Sequence, residues 1–347
     1  MSRCLRVAVL SLEAETSASW YVRILAPMAA LRHRIELLLG ACREGANVSV
    51  DLDIIDHADL VLVQRLFPAR ATWAVIESLI QSGKPLVYEA EDALLDPDRA
   101  DPDYLRTRLC RPYIIDLIRS AHAVIVPTAA LRHAYSDYSE SIHVVPHSLN
   151  ESLWLRPVQE PVGPVVVGFL GCPSDVGNLA LIEDSLLTAY DRLRDQIRLV
   201  FIGCVTPKLA AIPGVQVLPE PMDYPARAGA LREAGIDLAL APLRDTAMNR
   251  CRGGLSWLEY SACGSAGIYS DLAGIRESVT DGRTGLLAGS SSVEWSRAIE
   301  TLVRDPQQRT SLARAAQEEV LSRHAIGAGA ARLAETLEVV AKPTAEA

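Results

Sequence analysis

Aromatic side chains are scarce in this chain: three Phe, five Trp and ten Tyr among 347 residues. A core built with so few of them must come from aliphatic residues. Apolar residues make up 49% of the sequence, and Ala, Leu, Val and Ile carry most of that content. Such a mixture suits helices packed on parallel strands, which read as short aliphatic runs. Basic charge is also short. Lys and Arg number 34 against 43 Asp and Glu, a formal net charge of −9, and the excess is shared about evenly between the halves. Without a basic domain a nucleic-acid partner is disfavoured. No apolar run reaches the ~18 residues of a membrane-spanning helix. The opening MSRCLRVAVLSLEAE meets an acid after about five apolar residues, too few for a secretory leader. The seven cysteines are scattered and never form CxxC. A disulfide framework and a zinc site are therefore not expected, and reduced cytosolic thiols are. No GxGxxG follows the first aliphatic run, which argues against a dinucleotide-dependent dehydrogenase.

What is present is an alternation of short aliphatic runs with helix-like stretches. The runs are 5–10, 48–54, 60–63, 85–88, 123–126 and 142–145 in the first half, then 165–170, 198–202, 214–218, 237–241 and 266–270. Helical patterns cover 26–39, 74–82, 104–120, 178–194, 224–234 and 292–304. Strand alternating with helix is the sequence form of a doubly wound parallel sheet. The pattern restarts near residue 164, after a proline-bearing stretch (156–164) that reads as a linker. We therefore expect an α/β chain of two Rossmann-like domains, 1–160 and 161–347, facing a central cleft. In such folds ligands gather at the carboxyl ends of the strands.

The informative stretch is 237–287. A strand ends at Pro242, a loop runs to Arg252, and a helix opens after Gly253 and Gly254. A helix N-terminus offers unpaired N–H groups and the positive end of the macrodipole to an anion. The glycines would let a phosphate approach the backbone. Arg252 adds a guanidinium suited to bidentate phosphate contacts. Glu259 follows Arg252 by seven residues, about two turns or roughly 10 Å along one helix face. Its carboxylate could accept hydrogen bonds from a ribose diol while the arginine holds a diphosphate. The alternatives are plain: a solvated arginine, a glutamate on an amphipathic surface, and a flexible glycine turn. Local chemistry alone leaves the two readings even.

The segment resembles the donor site of glycosyltransferase family 4 and related GT-B enzymes. The resemblance runs through Leu258-Glu259-Tyr260-Ser261-Ala262-Cys263-Gly264, Ser270-Asp271, Gly274-Ile275-Arg276-Glu277 and Asp281-Gly282-Arg283-Thr284-Gly285-Leu286-Leu287. It implies that Glu259 contacts the nucleotide ribose and Arg252 the diphosphate. Val167 to Gly171 resembles the family's opening strand and glycine turn, and Leu199 to Gly203 its next strand. Tyr224 and the helix after it match the region that closes on the nucleobase. Many members carry a second glutamate eight positions before Glu259, where this chain has Cys251. A subgroup with a lysine–serine pattern is nearer, matched by Asn249, by Arg252 for its lysine, by Gly253 for its serine and by Ser256 for its second lysine. His147 stands where asparagine is usual.

On the N-terminal side the loop after the first strand lacks the family's glycine pair. Tyr21, Arg23, Ile24 and Pro27 resemble the subgroup instead. Arg65 lies at one strand end. Glu89, Glu91 and Asp92 lie at another, resembling the subgroup's acidic strand end. Tyr21, Arg23 and Arg65 are candidates for the donor phosphates or an anionic acceptor. Glu91 or Asp92 is the candidate to bind an acceptor hydroxyl or act as base. Mutual salt bridges among Arg23, Arg65, Glu91 and Asp92 near the surface are the competing reading. The resemblance implies transfer of a sugar from a UDP-, GDP- or dTDP-linked donor to an unidentified acceptor, with retention and with neither an essential metal nor another cofactor. Glu259, Arg252, Asn249, Gly171, Gly203 and Tyr224 would bind the donor. The last helix is expected to cross back to the first domain. A cytoplasmic location follows, with a peripheral place at the inner membrane face allowed. A nucleotide-sugar epimerase on the same fold and a non-catalytic GT-B partner protein stay open as rivals.

Overall fold

The computed structural model describes residues 3–45, 47–160 and 162–342. The chain divides into two compact units. One comprises Met1–Ser148, Cys251–Gly253 and Ile326–Ala347, the other Leu149–Arg250 and Gly254–Ala325. The division thus falls at 148/149 rather than at 160/161, and the chain after 161 is shared between the units.

The first unit holds strands β1 (Leu5–Leu10), β2 (Ile35–Leu39), β3 (Ala41–Glu44), β4 (Asn47–Val50), β5 (Leu60–Gln64), β6 (Leu86–Glu89), β7 (Ala123–Val126) and β8 (Ile142–Val144). Six of them form one parallel sheet in the order β2-β1-β5-β6-β7-β8, and β3 pairs with β4 antiparallel. The direction of winding reverses between β1 and β5. The central strands are buried along their length, as aliphatic runs such as Leu60-Val61-Leu62-Val63 require. The Ile326–Val340 helix belongs to this unit. Its Ala330, Leu333 and Leu337 join Val7, Met28 and Ile35 in one apolar cluster, and Arg34 holds Glu338 at 2.8–3.0 Å.

Two stretches differ from their expected structure. Residues 26–39 divide into a short helix, Ala26–Ala30, and strand β2. The Ile-Glu-Leu-Leu-Leu run is rich in helix formers, yet parallel pairing with β1, from Leu5 opposite Ile35, overrides that preference. Residues 48–54 likewise stop being a strand at Val50. The Asp51 side chain accepts from the Ile54 amide at 3.0 Å and caps the Leu52–His57 helix.

The second unit holds β9 (Val165–Leu170), β10 (Ile197–Ile202), β11 (Gln216–Leu218), β12 (Leu238–Ala241), β13 (Ala266–Ser270) and β14 (Leu286–Ala288). All pair in parallel, in the order β11-β10-β9-β12-β13-β14. Here the winding reverses between β9 and β12, so this unit's ligand position is the carboxyl end of those two strands. The Tyr224–Ala234 helix starts at Asp223, which caps the Ala226 amide at 2.7 Å, and stops at Gly235 with φ +61°. Among the described residues no helix is long and apolar enough to cross a membrane.

Candidate nucleotide-sugar site

In the second unit the site grows from the Leu255–Ala262 helix. Tyr260 fastens it to the reversal point, its hydroxyl accepting from the amide of Leu170, the last residue of β9, at 2.8 Å. Trp257 fastens it from another side by donating to the Thr284 carbonyl at 3.0 Å. Gln317 Nε2 donates to the carbonyls of Ala262 and Arg156 at 3.0 and 2.8 Å, satisfying acceptors the helix end leaves open. Glu259 rides on this fixed helix and is 1% exposed, so it is not a surface glutamate.

The partner of Glu259 is Arg227, a residue the sequence reading passed over. Its Nε lies 3.1 and 3.2 Å from the two carboxylate oxygens, and its Nη2 lies 3.0 Å from Oε2. Burial works against the Arg227 charge, but the Glu259 carboxylate outweighs it and the guanidinium pKa is raised. The buried ring of Tyr224 packs against Trp154, with centroids 5.2 Å apart. It anchors the first turn of the helix that carries Arg227. The sequence signal for Arg227 was its place three residues after Tyr224, on the same helix face.

Two glycines close the strand ends. Gly203 has φ +86°, and a Cβ there would sit 2.0 Å from the Gly171 carbonyl oxygen. A Cβ on Gly171 would in turn strike the Phe169 ring at 2.6 Å. Both glycines therefore shape the turns by packing. The loop after β12 is pinned as well. Leu243 donates to Ser270 Oγ at 2.7 Å, the Arg244 amide to Asn178 at 3.0 Å, and Asn249 Nδ2 to the Arg244 carbonyl at 2.9 Å. Asn249 thus shapes this loop. Arg244, also missed, stands at the carboxyl end of β12 beside Gly177.

Around Arg252 the picture changes. The segment Cys251–Gly253 packs with the first unit, where Thr128 Oγ1 donates to the Cys251 carbonyl at 2.8 Å. Arg252 is exposed. Cys251 lies in an apolar cluster with residues such as Leu131 and Tyr135. The glycines are not simply openings for a phosphate. A Cβ on Gly253 would meet the His147 ring at 2.7 Å, and one on Gly254 would meet Ser278 at 2.5 Å.

In the first unit the charged strand ends are tied to one another. Arg23 is buried, and donates to Glu89 at 2.7 Å and to the Val145 carbonyl at 2.8 Å. Arg65 is ringed by Glu13 at 3.4 Å, Asp92 at 3.0 Å and Glu91. It adopts φ +46°, an unusual backbone for a non-glycine residue. Ser11 donates to Gln64 at 2.7 Å at the neighbouring strand ends. Burial pushes Glu89 up to about 7 against the pull of Arg23, and burial also raises Glu13. Tyr21 opens the helical turn that carries Arg23. The salt-bridge reading thus holds for Arg65 with Glu91 and Asp92, whereas Arg23 pairs with Glu89 in the interior.

Comparison with known proteins agrees with this architecture. Residues 176–305 match the family described as Glycosyl transferases group 1. A D-inositol 3-phosphate glycosyltransferase of Arthrobacter sp. (strain FB24) is 35% identical over 120 residues, which are 34% of this chain and 26% of that protein. One of the same description from Pseudarthrobacter chlorophenolicus is 39% identical over 64 residues, 18% of this chain and 15% of that one. The match thus spans about a quarter or less of these relatives' length. Among solved structures, sucrose-phosphate synthase from Thermosynechococcus elongatus superposes with a TM-score of 0.71 at 14% identity, covering 97% of this chain and 99% of that one. Anabaena HepE in complex with UDP-glucose gives 0.69 at 17% identity, covering 96% and 100%. Residues 176–305 are thus similar to the Glycosyl transferases group 1 family, in a chain with the GT-B fold.

Proposed function

We propose that this protein is a glycosyltransferase. It moves a sugar from a nucleotide-diphosphate sugar to an acceptor hydroxyl, with retention at the anomeric carbon and without a resident metal. The observation that carries the reading is Glu259: a buried, bidentately paired carboxylate on the helix that Tyr260 bonds to the end of β9, one of the two strands between which the second unit's winding reverses. A carboxylate so placed suits a ribose diol. The group 1 match over the same segment supports it, as does the fold shared with HepE, which was solved with UDP-glucose.

The donor diphosphate falls to Arg244 at the end of β12 and to the amides that open the Leu255–Ala262 helix, with Arg252 just ahead of them in the chain. Cations and helix dipoles of this kind stabilise a departing diphosphate. The first unit is the acceptor side, where Glu91 and Asp92 are the carboxylates for an acceptor hydroxyl. Arg23 and Arg65 act there as structural counter-ions, because carboxylates already surround them.

A thermal-shift panel of UDP, GDP, dTDP and CDP tests the reading. One of these nucleotides raises the melting temperature of the wild-type chain, and Glu259→Ala removes most of that rise. If none of the four shifts it, the donor site is misassigned. Incubation with the matching nucleotide sugar alone, followed by NMR, distinguishes transfer from epimerisation.

A further inference from the structure

We propose that Arg227 is the positioning residue for Glu259, holding its carboxylate oriented to accept from a ribose diol. This rests on the nucleotide-sugar reading above. The guanidinium fork spans both oxygens, at 3.0–3.2 Å. Oε1 accepts from Nε alone and retains a further lone pair for an incoming hydroxyl, while Oε2 accepts from both Nε and Nη2. Both members are held from behind. Arg227 sits one turn beyond Tyr224, whose ring packs on Trp154. Glu259 sits beside Tyr260, which is bonded to the end of β9. The Arg227 side chain remains 23% exposed while that of Glu259 is at 1%, so the arginine forms the outer edge of the pair. Lysine would supply charge but not the planar fork.

The test compares UDP with 2′-deoxy-UDP, and GDP with 2′-deoxy-GDP, by calorimetry on the full chain. Wild type is expected to prefer the ribonucleotide by about tenfold, the worth of a good charged hydrogen bond. Arg227→Met and Glu259→Gln are each expected to reduce that preference to about twofold or less, and the double variant to go no further. The residual affinity carried by the diphosphate should persist in all three. Should Arg227→Met fail to fold, Arg227→Lys carries the test and loses most of the preference at unchanged folding. A variant at Arg227 that keeps the full ribose preference overturns this inference and leaves the function standing. Equal binding of ribo- and deoxynucleotide by wild type also overturns it. Binding of dTDP alone, which lacks the 2′-hydroxyl, overturns the inference and leaves the function standing; if wild type binds none of UDP, GDP, dTDP and CDP, both the inference and the functional reading fall.

Discussion

The ring of His147 fills the space that a side chain at Gly253 would need, since a Cβ there would lie 2.7 Å from its Cδ2 and 2.9 Å from its Nε2. Both residues depart from the family pattern, which has asparagine and serine at these places. In a close-packed interior a larger residue at one position excludes a larger one at the other. Gly253→Ser alone should destabilise the chain by about 1–3 kcal/mol through overpacking. Adding His147→Asn should recover most of that loss, with a coupling of about 1 kcal/mol in a double-mutant cycle on urea midpoints. Strict additivity would show the two departures to be unrelated.

Cys251 occupies the place of the family's first glutamate, but it sits in the apolar cluster of the first unit. Restoring the glutamate should therefore harm the chain. Cys251→Glu is expected to lose about 3 kcal/mol or more, because an unpaired carboxylate would be buried. Cys251→Val should stay within about 1.5 kcal/mol. Chemical denaturation of the two variants side by side checks the contrast.

The Arg23–Glu89 pair is buried on both sides. Arg23→Met would strand the Glu89 carboxylate where it is ionised, and a loss of about 3–5 kcal/mol is expected in the unfolding free energy well above the Glu89 pKa of about 7. A loss under 1 kcal/mol would mean the pair is replaced by other contacts.

The same glutamate makes a pH prediction. Burial holds Glu89 up at about 7, above the ordinary 4.5 to which it returns on unfolding. Between those values the folded chain keeps a proton that the unfolded chain has released. The group's contribution to stability is therefore full below about 4.5 and declines as pH rises toward about 7. Glu89→Gln cannot titrate. Wild-type stability should fall relative to Glu89→Gln across that window and run parallel above it. Glu13, also raised, titrates in both proteins and cancels.

Gly203→Ala combines a φ of +86° with a Cβ driven onto the Gly171 carbonyl. It should destabilise by about 2 kcal/mol or more and weaken nucleotide binding, because both strand-end turns must move. Gly229→Ala, inside the Tyr224–Ala234 helix with nothing within 4 Å of its Cβ position, should stabilise by a few tenths to about 1 kcal/mol. Melting curves of the two test whether close approach, and not glycine content, governs these positions.

How far each part was legible depended on the range of the interactions involved. Strands β1, β5, β7, β9 and β13 follow from aliphatic runs bounded by turns, and the Tyr104–Ser120, Tyr224–Ala234 and Ser292–Arg304 helices from their periodicity. Residues 26–39 misled because Ile35–Leu39 is a helix-forming run that becomes a strand only by pairing with β1. Glu259 was legible because it lies within a long local motif.

By itself, the sequence determined the alternation of strand and helix, the parallel sheets and the prominence of Glu259, since local propensity and patterning carry those. Tertiary structure alone decided what Glu259 faces. Arg227 is 32 residues away, and only the docking of two helices, one anchored by Tyr224 on Trp154 and the other by Tyr260 on β9, brings the guanidinium to the carboxylate. It also decided that Arg23 and Arg65 are paired, because strand ends distant in sequence become neighbours only once the sheet has formed. And it decided why Gly203 and Gly253 are glycine. A missing side chain carries no local signal, and the atoms that forbid one, the Gly171 carbonyl and the His147 ring, arrive from elsewhere in the chain.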